Sequence, residues 1–437
     1  MAISVFARDI DLLLETEHLS AKVFAARNSD GRRGLIPFMT DKRGAPDADF
    51  IEWVRARFPC EAEVDRVLTA KLRVRGAPPY QRETLEEIVE GLERLLTHEL
   101  ENGFAITNPC WLGGGASKLQ VAFRLDWEKD GVPRNSELVL RMEPPASIVE
   151  TSRTREFEAL KAAAGAVPVP ECYWVDAQGA FLPHPGLIYA RANGVTKPSR
   201  RLKGQVSGIG TNFGAELRPV LGRQFVQHLA AIHTIPPETL ARMNGFERAQ
   251  AGSNASIIRQ VNWWRRVWEE DRLEAQPLVE IAARWLRENA PALDHVSLVH
   301  GDFRAGNFLY DEDSQQITAW LDWELAVLGD RHQDLAWLSG QHFGHLAEDG
   351  KTFLACGLLP VDELLERYEQ ASGLAVDPAR LRYFRVYNDF ASTVHMLGTA
   401  CRVAQQGSTH QDVLVAWLAM IGPGIAAGLR TTLEDVL

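Results

Sequence analysis

The strongest constraint on the fold of this 437-residue chain is a double change in the spacing of its apolar residues. Up to about residue 105 the spacing is helical. It appears in DIDLLLETEHLSAKVFAA and again in ETLEEIVEGLERLLTHEL, where Leu85, Ile88, Leu92, Leu95 and Leu96 form one stripe. Between them, GRRGLIPFMTDKRGAP reads as loop. From 106 the period falls to two. ITNPCWL, LQVAFRLDW and ELVLRM read as strands, with EKDG as the turn before the third. SIVETSRTREFEALKAAAGA then reads as a helix, and PECYWVD and GLIYARAN as two further strands. From about 200 the period is helical again, interrupted by the short strands NFLYD and ITAWLD, with three more helices beyond about 360. A small, mainly antiparallel sheet followed by a larger helical body predicts an α+β fold of two lobes with a cleft between them. The expected division is a helical N-terminal extension (1–105), a sheet lobe (106–193) and a helical lobe (194–437).

Composition narrows the classes. A hydrophobic fraction of 46% and a charged fraction of 24% are those of a globular protein, and a net charge of −11 argues against a general nucleic-acid binder. Cys60, Cys110, Cys172, Cys356 and Cys401 are scattered, without the CxxC spacing of a zinc ribbon, and fit a reducing compartment. Arg8, Asp9 and Asp11 stand where a signal peptide needs an apolar core. The apolar run Val413–Leu429 is interrupted by Gly422-Pro423-Gly424 and reads as a buried helix with a break, not a membrane span. The expected setting is the cytoplasm, with neither membrane nor nucleic acid as partner.

The chemistry concentrates in His300-Gly301-Asp302-Phe303-Arg304-Ala305-Gly306-Asn307, followed by Asp322-Trp323-Glu324. An Asp, an Asn five residues on and an Asp at a strand end supply oxygen ligands around one point. Phosphoryl transfer needs such a set: a carboxylate to orient an attacking hydroxyl, which suits Asp302, and hard donors for Mg²⁺ on the phosphates, which suit Asn307 and Asp322.

HGDFRAGNF and LDWELAVLGDRHQDLAW resemble the aminoglycoside phosphotransferase superfamily, small-molecule kinases with a protein-kinase-like fold. Within it the chain is most similar to the branch fused to, or encoded beside, acyl-CoA dehydrogenases. The resemblance covers about 106–400 and leaves the first hundred residues uncovered. It implies phosphorylation of a small-molecule hydroxyl by ATP, or GTP, with Mg²⁺. It makes Asp302 the base, Asn307 and Asp322 the metal ligands, and Asp334 a brace under the catalytic loop. The family usually has Pro where Arg331 stands.

The rest of the nucleotide site follows in order. Gly113, Gly114 and Gly115 form a turn whose bare backbone can approach phosphates, and Ser117 adds a hydroxyl. Arg141 ends the third strand where kinases place a lysine, and Glu156 on the next helix is its expected partner. Ala190 and Ala192, in the segment linking the lobes, are assigned to adenine by position. His233 and His300 read as scaffold, Trp264 and Trp268 as core, and Trp263 as a candidate wall for a bound cation. Asn388 and His395 are placed along the cleft. The branch resemblance favours a hydroxyacyl-CoA or related hydroxy acid as acceptor. The competing readings are an aminoglycoside kinase and a pseudokinase that binds nucleotide without turnover. Arg141 is the support for the latter.

Overall fold

The computed structural model describes residues 48–75, 83–101, 103–113, 118–144, 147–199, 210–406 and 412–437. The DIDLLLE segment, the GRRG loop, Gly114, Gly115 and Ser117 lie outside these residues. The described chain opens with three helices: α1 (Ala48–Arg57), α2 (Ala62–Val74) and α3 (Leu85–Glu99). Thr84 and Glu87 form a reciprocal cap at the start of α3: the Glu87 N–H donates to Thr84 Oγ1 at 3.2 Å and the Thr84 N–H to Glu87 Oε2 at 2.8 Å.

Five strands follow: β1 (Ala105–Trp111), β2 (Leu119–Lys129), β3 (Val132–Met142), β4 (Cys172–Asp176) and β5 (Gly186–Ala190). They pair in the order β1-β2-β3-β5-β4, and every pairing is antiparallel. Asp130 and Gly131 both adopt positive φ in the two-residue turn between β2 and β3, as a tight hairpin requires. Helix α4 (Arg153–Ala163) lies between β3 and β4.

The strand period decides what each face meets. Leu138, Leu140 and Met142 of β3 and Ile188 of β5 pack with Ile88, Leu92, Leu95 and Leu96 of α3. Each aliphatic chain so buried contributes about 1.5–3 kcal/mol before entropy. Val139, Leu187 and Tyr189 face the other way, into the large core shared with α2, α4 and the helical lobe. Arg141 has the parity of Val139, so the alternation turns it toward α4.

The helical lobe holds α5 (Gly214–His233), α6 (Ala255–Asp271), α7 (Pro277–Glu288), α8 (His332–Leu338), α9 (Val361–Ser372), α10 (Pro378–Thr393), a π-helical turn (Val394–Ala400) and α11 (Asp412–Glu434). Two short pairs, β6 (Ser297–Val299) with β9 (Val327–Gly329) and β7 (Phe308–Tyr310) with β8 (Ile317–Trp320), frame the HGD loop. The linker between lobes is anchored on this frame by reciprocal Val195 and Tyr310 backbone bonds of 2.9 and 3.0 Å.

Two expectations fail. Helix α11 runs unbroken through Gly422-Pro423-Gly424. The glycine serves close packing: a Cβ on Gly422 would stand 2.5 Å from Leu397 of the π turn. Leu429 and Leu433 anchor the far end in the large core, so tertiary packing outweighs the missing Pro423 N–H. The helix is also not buried throughout, since Trp417 and Met420 are exposed. Trp263 is not an open wall: it is buried and stacked on Trp264 at 5.3 Å, with the Arg155 guanidinium 6.0 Å away. Among the described residues no helix is long and apolar enough to cross a membrane.

Candidate active site

The HGD loop hangs from one buried carboxylate. The His300 and Gly301 N–H groups donate to Asp334 Oδ2 and Oδ1 at 2.7 and 2.9 Å. His233 Nε2 sits 3.1 Å from the same Oδ2, and its Nδ1 is 2.9 Å from the Tyr368 hydroxyl. Asp334 is therefore the brace under the loop, and His233 supports the brace. His300 Nδ1 accepts the Asp302 N–H at 3.2 Å, which fixes the proton on Nε2, 3.0 Å from the Leu321 carbonyl. Gly301 adopts φ +83°, and a Cβ there would stand 2.5 Å from the Leu325 carbonyl oxygen, so the turn admits no side chain. Arg331, where the family usually has Pro, spans two segments: it forks onto Asp294 at 2.8 and 2.9 Å and also donates to the Ala375 carbonyl.

Asp302 is held on three sides. The Trp337 indole N–H, from α8, donates to Oδ1 at 2.7 Å. The Asn307 amide donates to Oδ2 at 2.7 Å. Arg304 Nε lies 3.0 and 3.2 Å from the two oxygens. A carboxylate offers about four acceptor positions, and because Arg304 Nε is shared between both oxygens the contacts here number four, the longest being Arg304 to Oδ2 at 3.2 Å. Asn307 spends its amide nitrogen on Asp302, which leaves its side-chain carbonyl as the atom for a cation. Asp322 is brought alongside by the Leu321 N–H, which donates to the Asn307 backbone carbonyl at 2.8 Å. Asp322 itself adopts φ 67° and ψ 48°, an uncommon left-handed conformation that aspartate tolerates better than most residues.

From the sheet lobe, Arg141 Nε lies 3.1 Å from Glu156 Oε1, and Arg141 Nη2 reaches Asp322 Oδ1 and, at 3.4 Å, Glu324 Oε2. The expected Arg141–Glu156 pair is thus present, within a larger buried network. Lys118 Nζ lies 2.8 Å from Glu324 and 3.1 Å from Glu143, and donates to the Val149 carbonyl at 2.8 Å. Arg153 joins Glu156, Glu143 at 3.3 Å and Glu324 at 3.5 Å. Burial pushes the Glu324 carboxyl up, but Lys118, Arg141 and Arg153 reverse this and hold it well below the usual carboxylate range. For Glu143 burial wins and the carboxyl is raised despite Lys118 and Arg153. Arg141 remains firmly protonated: burial opposes its charge, and Glu156, Asp322 and Glu324 outweigh that.

Sequence reading missed Lys118, Glu143 and Arg153. The available signal was a lysine at the mouth of an apolar strand, directly after the glycine turn, where the strand pattern predicts burial. A second buried network lies at the base of the sheet lobe. Lys71 of α2 and Arg75, which caps that helix, reach Asp271 at 3.0 and 2.7 Å, and Arg402 reaches Asp271 at 2.9 Å and Glu150 at 3.2 Å.

The remaining candidates divide. Gly113 stands in open space at the end of β1. The Ala190 N–H is committed to the Glu171 carbonyl at 2.8 Å, while Ala192 follows, partly buried, in the linker. Asn388 is buried, its amide donating to the Gln333 carbonyl at 3.0 Å. His395 lies in the π turn, edge-on to Trp264 at 5.0 Å.

The donor set suits a magnesium nucleotide. Magnesium takes oxygen ligands, commonly one or two from protein with the rest from phosphate and water. Asp322 and Asn307 offer two such donors on adjacent backbone. No cluster of three or more His, Cys, Asp or Glu among the described residues forms a closed metal cage.

The chain is similar to several known proteins. The Arabidopsis thaliana protein named "Probable acyl-CoA dehydrogenase IBR3" is 26% identical over 285 residues, covering 60% of this chain and 33% of its own. Acyl-CoA dehydrogenase family member 10 of Mus musculus is 27% identical over 204 residues, covering 46% of this chain and 18% of its own. The chain thus spans a third or less of these curated relatives. Among solved structures, a Ralstonia eutropha protein provisionally designated an aminoglycoside phosphotransferase superposes with a TM-score of 0.55 at 20% identity, covering 79% of this chain and 98% of that one, which shows the shared kinase-like fold. The sequence model of the phosphotransferase enzyme family matches residues 112–384, more than half of the chain, and the protein belongs to that family.

Proposed function

We propose that the chain transfers the terminal phosphoryl group of ATP to a hydroxyl of a small molecule, with a hydroxyacyl-CoA or related hydroxy acid as acceptor class. The observation that carries this reading is the arrangement at Asp302: a carboxylate fixed by Trp337, Asn307 and Arg304, with 17% of its side chain still exposed. In this reading Asp302 receives the acceptor hydroxyl, aligns its oxygen and takes its proton as the new P–O bond forms. Asn307 and Asp322 would hold Mg²⁺, which when bound neutralises phosphate charge. Arg141, kept in place by Glu156, lies over the phosphates. Backbone groups of the linker near Ala192 meet the base. The names of the relatives support the acyl-CoA class of acceptor.

The test is nucleotide-dependent phosphorylation across a panel of hydroxy acids, their CoA thioesters and aminoglycosides. Turnover on a hydroxyacyl thioester, reduced about 10²–10⁴-fold in Asp302→Asn with nucleotide affinity kept, is expected. Turnover confined to aminoglycosides would overturn the acceptor class. Nucleotide binding with no transfer to any acceptor would favour the pseudokinase.

A further inference from the structure

Three groups hold Asp302, and two have evident purposes: Asn307 turns its carbonyl to the cation position and Trp337 fixes the carboxylate plane. Arg304 has no such explanation. Of its five N–H donors, only Nε is spent within the protein among the described residues, on Asp302 at 3.0 and 3.2 Å. Both terminal nitrogens carry further donors, the side chain keeps 20% of its surface exposed beside an Asp302 side chain that keeps 17%, and neither nitrogen is among the buried unpaired atoms, so these donors meet solvent. The backbone makes room for the group. A Cβ on Gly306 would stand 2.0 Å from Arg304 Nη1, so the glycine lets the guanidinium fold back over the loop. The Phe343 ring lies 5.8 Å from the guanidinium carbon and bounds it on another side. Burial opposes the charge of Arg304, and Asp302 and then Asp322 outweigh it.

We infer that Arg304 is a catalytic residue whose free guanidinium edge binds the transferring phosphoryl group while Nε keeps hold of Asp302. This rests on the proposed phosphoryl transfer. A phosphoryl group passing from a nucleotide held at Asp322 to a hydroxyl held at Asp302 must cross the space between them. An arginine already tethered to the base meets its equatorial oxygens with little reorganisation. The bond to the nucleotide bridging oxygen breaks, the bond to the acceptor oxygen forms, the acceptor proton goes to Asp302, and Arg304 remains a cation throughout.

The experiment needs no acceptor. Affinities of the full chain for Mg·ADP and for the non-hydrolysable Mg·β,γ-imido-ATP are measured by calorimetry. The variants are wild type, Arg304→Gln, Arg304→Lys, Asp302→Asn and the Arg304→Gln/Asp302→Asn double variant. Arg304→Gln is expected to leave ADP affinity near wild type and to reduce the preference for the triphosphate about 10-fold or more, as loss of a charge-assisted contact implies. Arg304→Lys should restore part of it. The loss should persist in the Asp302→Asn background, where an indirect effect through the base would vanish. An unchanged triphosphate preference in Arg304→Gln, or a loss that disappears without Asp302, overturns the inference. Absence of magnesium-nucleotide binding by wild type would instead overturn the phosphotransferase reading beneath it.

Discussion

Replacing Arg141 by Met tests whether the buried network, rather than one strand-end side chain, holds the nucleotide lobe. Three cations (Lys118, Arg141 and Arg153) face four carboxylates (Glu143, Glu156, Asp322 and Glu324). Removing Arg141 leaves two against four. Breaking a buried pair costs about 3–5 kcal/mol because the partner charge is stranded. Here Arg153 still reaches Glu156 and, at 3.5 Å, Glu324, and the Asp322 side chain is 31% exposed, so water takes part of its load. The expected loss is therefore at the lower end, about 3 kcal/mol. Urea unfolding followed by both tryptophan fluorescence and circular dichroism measures it. A cycle with Glu156→Gln should give a coupling of about 1–2 kcal/mol, within the range for residues in contact. Because the pair is buried, that coupling should survive at about 1 M salt, where exposed pairs are screened. Coupling below about 0.5 kcal/mol would refute the argument, as would coupling that salt abolishes.

Other outcomes follow from the same geometry. Asp322→Ala should remove most of the magnesium enhancement of nucleotide binding, read by titration with and without Mg²⁺; a full remaining enhancement would transfer the role to another carboxylate. Gly301→Ala should destabilise by about 2 kcal/mol or more, through a positive φ and a contact with the Leu325 carbonyl, and thermal melts at wild-type temperature would contradict this. Burial pushes His228 and His395 from 6.5 down to about 4. The folded state then binds fewer protons than the unfolded state between those values, so stability is complete above the upper one and falls as pH drops through the window, by up to about 3 kcal/mol per group. His228→Asn, which keeps an acceptor for the 3.0 Å Trp320 indole bond, should flatten part of that slope in urea midpoints; an unchanged slope would remove His228 from the account.

The sequence made the five strands, the HGD loop and the Arg141–Glu156 pair legible for one reason: each rests on short-range pattern. Alternation turns Arg141 toward α4, and a five-residue spacing brings Asn307 to Asp302. What was illegible depends on long-range closure. Lys118 and Glu324 are 206 positions apart in sequence and 2.8 Å apart in the structure, and neither carries a local sign of the other. Trp337 looks like one more core aromatic on α8 until its indole is found against Asp302. The unbroken helix α11 was misread for the opposite reason: a strong local breaker, Pro423, yields to packing along the rest of the helix.

The network around Asp271 separates the unit of homology from the unit of folding. The family match begins at 112 and ends at 384, yet Lys71, Arg75 and Arg402, all outside it, supply the cations that neutralise Asp271. Helix α3, also outside, closes one face of the sheet. An expression fragment trimmed to the matched residues would strand a fully buried aspartate and bare the apolar underside of the nucleotide lobe. Insoluble product from such a fragment would reflect lost charge partners and lost cover, not a defective catalytic domain.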